Sequence, residues 1–120
     1  MVFMNHEMGL YPENFEKVKS GQKQREYRLY DEKRQKIRTG DTITFINIVS
    51  KETVVVTVEN MYIYKDFKTC YLDFWEEEFA QRGQSIEQIV LNTYNNWWSK
   101  ELEEKYGCVV ILIKLCDYIQ

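Results

Sequence analysis

The chain has 120 residues, a formal charge of −3, and side chains that are 44% hydrophobic, 29% charged and 15% aromatic. That length accommodates one core and is short for two independent ones, so a single domain over residues 1–120 is expected. Ordinary hydrophobic and charged fractions exclude a disordered or fibrous class, and net acidity argues against indiscriminate nucleic-acid binding.

In chain order, "YPENFEKVKSG" reads as a short helix: Pro12 suits the first helical position, Phe15 and Val18 share a face, and Gly21 suits the left-handed residue past the end. From Gln24 to Tyr30 the pattern alternates as a strand does, with Tyr27 and Leu29 on a core-facing side and Glu26, Arg28 and Tyr30 on the other. "DEKRQKIRTGD" predicts a connection with one helical turn, closed at Gly40-Asp41, where the Asp is expected to bond nearby backbone N–H groups. "TITFINIV" and "TVVVTVENMYIY" flank a polar turn at Ser50 to Glu52 and predict a long hairpin.

After Lys65 the signal turns helical. Asp66 suits an N-cap, Ser85 and Gln88 have capping-box spacing, and Ser99 and Gly107 bracket a third helix. "CVVILIKLCDY" is too continuously apolar for an exposed strand and should lie inside a sheet. The expected order is a helix, three strands, two or three helices and a buried last strand, an α+β arrangement with a small bent sheet or barrel.

The longest apolar run, Cys108 to Ile113, is far below the roughly 20 residues that span a bilayer. "MVFMNHEMGL" lacks a basic segment followed by an apolar stretch, so neither membrane insertion nor export is expected. Cys70, Cys108 and Cys116 form no CxxC pair and leave an odd thiol, which predicts reduced cysteines and a cytoplasmic location. The single histidine, His6, has no ligand-spaced neighbours, so no metal and no cofactor is expected and His6 reads as structural or exposed. Trp97 and Trp98 are consecutive, so their side chains diverge and only one is expected to be core.

Charge is distributed unevenly. Between Lys17 and Arg38 nine basic residues face three acidic ones, a local +6 that leaves −9 on the rest. A basic stripe on an acidic body is the footprint of a selective anionic partner such as RNA or a nucleotide, and equally a pattern that a solvated surface produces. Glu26 and Arg28, two apart on a strand, lie about 7 Å apart, close enough to pair. Exposed, the pair contributes about 0–1 kcal/mol; in a cleft it pre-organises both groups for a polar ligand.

The segment "GQKQREYRLYDEKRQKIRTGDTITF" resembles the signature of the ASCH (activating signal cointegrator homology) family: G-x-K-x-x-E-x-R, a D-E-K-R-type segment, then G-D-x-I-x-F. Gly21, Lys23, Glu26, Arg28, Asp31, Glu32, Lys33, Arg34, Gly40, Asp41, Ile43 and Phe45 carry the resemblance, and both ends of the chain look like those of compact bacterial members. It implies a PUA-like β-barrel with surrounding helices and a cleft that receives RNA or a nucleotide-like ligand. Lys23 and Arg28 would then contact phosphate or a base edge, Glu26 would orient Arg28 or accept from a base amino group, and Tyr30 would stack on a base. Lys33 and Arg34 would be secondary phosphate contacts, with local Asp31–Arg34 and Glu32–Lys36 ion pairs as the alternative.

A branch of the superfamily consists of small amidohydrolases acting on N4-acetylcytidine, thought to use a Lys, a Thr nucleophile and a Glu. This chain keeps the lysine as Lys23 but has Glu26 at the threonine position, and "AQRGQSI", where the acid should fall, holds no carboxylate. The departure removes the nucleophile, and no other catalytic constellation is visible. Non-catalytic recognition of RNA or a nucleotide is therefore the leading expectation, with amide hydrolysis and a protein-interaction role in a transcription or translation regulator as alternatives.

Overall fold

The computed structural model describes residues 2–116, so the last residues of the expected closing strand, Asp117 and Tyr118, lie outside it. Five strands form one mixed sheet in the order β1-β3-β4-β5-β2. They are β1 (Asn5–Leu10), β2 (Arg25–Leu29), β3 (Thr42–Asn47), β4 (Thr53–Tyr64) and β5 (Cys108–Leu115). The helices are α1 (Pro12–Lys19), α2 (Phe67–Asp73), α3 (Ile86–Asn96) and α4 (Lys100–Tyr106). Among the described residues, contacts gather into two compact units, one of residues 2–26, 36–61 and 111–116, the other of 27–35 and 62–110.

In the first unit β3 runs antiparallel to β4, with Ile43 opposite Val56 and Phe45 opposite Val54. The alternation of "TITFIN" sends Ile43 and Phe45 into the core, where both are fully buried, while Thr42 and Thr44 stay on the wetter face. Asn47 closes the hairpin by accepting from Val49 N and Ser50 N at 3.0 and 3.1 Å, so the turn rests on an Asx bond. β1, absent from the expected order, pairs parallel to β3 with Met8 opposite Phe45. Its sequence, NHEMGL, has no β-branched residue, so its strand form depends on the β3 template. Helix α1 starts at Pro12, buries Phe15 and Val18, and ends before Gly21, whose φ is 82°.

In the second unit, Asp66 caps α2 through Thr69 N at 2.8 Å and Ser99 caps α4 through Leu102 N. Both bonds of the Ser85/Gln88 capping box are formed at the start of α3. Between α2 and α3 lies a π-helical segment, Trp75–Phe79, which the sequence reading missed. In an α-helix, residues five apart point about 140° away from each other. The wider i→i+5 winding brings Phe74 and Phe79 to one side, and both rings pack on Tyr27, at 6.3 and 5.6 Å. Tyr71 completes the cluster at 5.7 Å from Tyr27; Tyr71 and Phe79 are buried, while Tyr27 and Phe74 are half-buried.

A buried carboxylate organises the helices of this unit. Glu103, 4% exposed, accepts from Tyr94 Oη at 2.7 Å and from Phe67 N, the first residue of α2, at 2.8 Å. Burial and that bond to a carboxylate push the Tyr94 hydroxyl far above its ordinary pKa. Cys70 and Cys108 are fully buried free thiols, and Cys116 is free and half-buried. Among the described residues no helix is long and apolar enough to cross a membrane.

Candidate nucleic-acid interface

The signature segment starts at the corner between α1 and β2. Gly21 N donates to Val18 O at 3.0 Å and Lys23 N to Lys17 O at 2.9 Å, which folds the chain back over the helix end. Ile113 N then donates to Gln24 O, drawing the segment onto β5. This corner fixes where the Lys23 side chain starts, a direction that strand parity alone left open.

Lys23 Nζ lies 2.7 Å from Glu26 Oε1. The Glu26 side chain is 4% exposed and that of Lys23 19%, so the carboxylate is withdrawn from solvent and the ammonium stands at the surface above it. Lys23, three residues before Glu26, forms an ion pair with it that the sequence reading had not singled out. A buried carboxylate is costly unless a cation and hydrogen bonds compensate it, which makes Lys23 a structural as well as a surface group.

The rest of the segment belongs to the second unit. Arg28, Tyr30 and Arg34 are half-buried and Lys33 is exposed. Arg34 makes the local pair with Asp31, Nη1 to Oδ2 at 3.2 Å, and its backbone N–H also donates to Asp31 Oδ1 at 3.1 Å. Glu32 takes a different partner from the expected Lys36: the Tyr106 hydroxyl donates to its two oxygens at 3.0 and 2.8 Å. That bond, with support from its own backbone N–H and the Lys105 charge, holds the Glu32 carboxyl below its usual range. Gln35 Nε2 donates to Tyr30 O and Tyr30 N to Gly107 O, so residues 30–35 close on themselves and are tied to the end of α4 at Tyr30. Tyr106 read in the sequence as a helix end, and no local signal showed its partner 74 residues away.

Asp41 does the turn chemistry expected of it and more. It accepts from Arg38 N and Met4 N at 3.0 Å each and contacts His6 Nε2 at 2.8 Å. Burial, the largest single influence, pushes its carboxyl up; the Met4 N–H, the His6 ring and the Arg38 N–H together outweigh it and hold the group below the ordinary value. His6 is thereby an anchor of β1 on the β3 side of the sheet. Among the described residues no group of three or more His, Cys, Asp or Glu side chains is arranged to hold a metal ion.

The profile of the ASCH domain matches residues 8–116, which takes in the whole signature segment and every element from Met8 of β1 to β5. The chain belongs to the ASCH domain family. Two solved structures of comparable length match this chain along nearly its full extent. The hypothetical protein PH0355 is 37% identical with a TM-score of 0.79, covering 94% of this chain and 100% of its own. Protein PF0455 from Pyrococcus furiosus is 35% identical with a TM-score of 0.73, covering 96% and 100%. An ASCH protein from Zymomonas mobilis, solved as its S128A mutant, shares the fold at 17% identity and a TM-score of 0.64, over 92% of this chain and 67% of its own. No curated protein matches. The α+β, PUA-like fold of the ASCH family is therefore the fold of this chain, as the resemblance implied.

Proposed function

We propose that this ASCH domain is a recognition module for RNA or a nucleotide-like ligand, with the GxKxxExR segment supplying the contacts. The observation that carries the reading is the Lys23–Glu26 pair: a carboxylate almost fully withdrawn from water, with an ammonium 2.7 Å away whose side chain remains 19% exposed. Stability alone does not favour such a pair, because apolar residues of similar volume are often as stable or more so. It does suit a ligand that carries both an anionic group and a hydrogen-bonding edge, with Lys23 on phosphate and Glu26 on a base amino group. Arg28, Tyr30, Lys33 and Arg34 are the further contacts in this reading, and the local +6 of residues 17–38 supports it.

Amide hydrolysis is less well supported, since Glu26 stands in place of the threonine nucleophile and is engaged with Lys23. The deciding experiment is an amide chemical-shift titration with a short single-stranded RNA, with cytidine and with N4-acetylcytidine. Recognition predicts shifts concentrated at residues 23–34, an affinity that falls with salt, and a loss of binding in Lys23→Ala. Turnover of N4-acetylcytidine that disappears in Lys23→Ala would replace the module with an enzyme. Absence of any shift at low salt would remove the proposal and leave a protein partner as the next reading.

A further inference from the structure

Two thiols with no part in the recognition reading meet inside the second unit. Cys70 closes the first turn of α2 and Cys108 is the first residue of β5; both are fully buried. The Cys70 N–H and the Cys108 thiol donate to one and the same oxygen, the carbonyl of the N-cap Asp66, at 3.3 and 3.2 Å. The backbone of one cysteine and the sulfur of the other thus share an acceptor. The Cys70 thiol beside it and burial push the Cys108 thiol well above its ordinary value. Cys108 is also fixed from behind, because Gly107 lies so close to Tyr64 O that an added Cβ would stand 2.6 Å from it. The third thiol, Cys116, contacts Thr57 Oγ1 at 3.3 Å and belongs to the first unit.

We infer that Cys70 and Cys108 form a redox latch: a low-molecular-weight disulfide reaches them when α2 opens and converts the two thiols to a disulfide that ties α2 to β5. While α2 is closed the buried, protonated thiols are inert, since the thiolate is the nucleophile. Helix α2 has seven residues, too few to persist without packing, and gives way at Phe74 to the π-helical segment, so it opens as a piece smaller than the whole fold. In the opened state the Cys70 thiol loses its proton and attacks the small disulfide, forming a mixed disulfide and releasing one thiolate. Cys108 then loses its proton, attacks the Cys70 sulfur and expels the second thiolate. The two protein thiols are oxidised, the small disulfide is reduced to two thiolates, and these take up the two protons. Closure also fixes Tyr71, the residue after Cys70, whose ring packs on Tyr27 of the signature segment.

The test exposes the native full-length chain to excess oxidised glutathione and follows α2 by amide hydrogen exchange. Trypsin separates the three cysteines, onto peptides 69–82, 106–114 and 115–120. The expected product is lighter by two hydrogens, has peptides 69–82 and 106–114 joined, and forms faster than the global unfolding reported by the slowest β3 amides. In it, exchange of the Cys70 to Asp73 amides should slow at least about tenfold, and dithiothreitol should restore the original rate. Cys116→Ser should behave as the wild type, whereas Cys70→Ser and Cys108→Ser should show neither the joined peptides nor the slowing. The wild type by itself decides the result where a serine variant folds poorly. Three thiols that stay free in the native protein, a glutathione adduct that persists at Cys70 or Cys108, or a bond from either to Cys116 would overturn the latch. So would a Cys70–Cys108 bond that forms no faster than global unfolding, or one that leaves α2 exchange unchanged.

Discussion

His6 Nε2 and Asp41 Oδ2 meet at 2.8 Å, with side chains only 8% and 4% exposed, across 35 residues of chain. The pair fastens β1 to the turn before β3, and the same carboxylate also receives Met4 N and Arg38 N. Because the Asp41 carboxyl is held below its ordinary value of 3.8, the unfolded chain binds this proton more readily than the folded one as pH falls. The stabilisation is therefore complete above about pH 4 and lost as pH drops through the lower folded value. Acid unfolding of the wild type and Asp41→Asn should show a stability gap that closes on acidification. A gap that stays constant from pH 7 to pH 2 would disprove the linkage.

Glu103 joins α4 to α2 through Phe67 N and to α3 through Tyr94 Oη. Removing it leaves a buried N–H and a partly buried hydroxyl without their acceptor. Glu103→Ala should cost about 2–4 kcal/mol, and Glu103→Gln less, because the amide oxygen can still serve one donor. Denaturant midpoints with unchanged slopes would measure this directly.

Truncating Lys23 exposes the cost of the buried carboxylate next to it. Lys23→Ala should destabilise by about 1–3 kcal/mol at pH 7, below the figure for a fully buried pair because Lys23 is partly exposed. The double variant Lys23→Ala with Glu26→Gln should recover part of that loss. A double-mutant cycle with no coupling energy would show that the two charges do not depend on each other.

Two glycines test how closely the chain is packed at its left-handed positions. Gly107 has φ 69° and ψ −167°, a region essentially reserved for glycine, and an added Cβ would lie 2.6 Å from Tyr64 O. Gly83 has φ 71°, and an added Cβ would meet nothing within 4 Å. Gly107→Ala should therefore cost about 3 kcal/mol or more and Gly83→Ala about 1 kcal/mol, read from thermal melts. Equal losses at both positions would contradict the packing assigned to Gly107.

Features decided within a few residues were legible in the chain itself. Pro12, through its fixed φ, and Gly21, Asp66, Ser85 with Gln88, Ser99 and Gly107, through bonds that span four residues or fewer, each stop or start an element, and all stand where their chemistry implied. The twelve signature positions identified the family for the same reason, because a pattern in register needs no third dimension. Other features depend on residues brought together from far along the chain. The strand form of NHEMGL comes from β3, the π-helical winding of Trp75–Phe79 accompanies the packing of Phe74 and Phe79 on Tyr27, and Glu32 finds its donor in Tyr106. Glu26 shows the division most directly. The sequence showed a carboxylate among cations on a strand; only the tertiary structure buried it and gave it Lys23, since burial depends on which surfaces cover a residue and local spacing does not specify them.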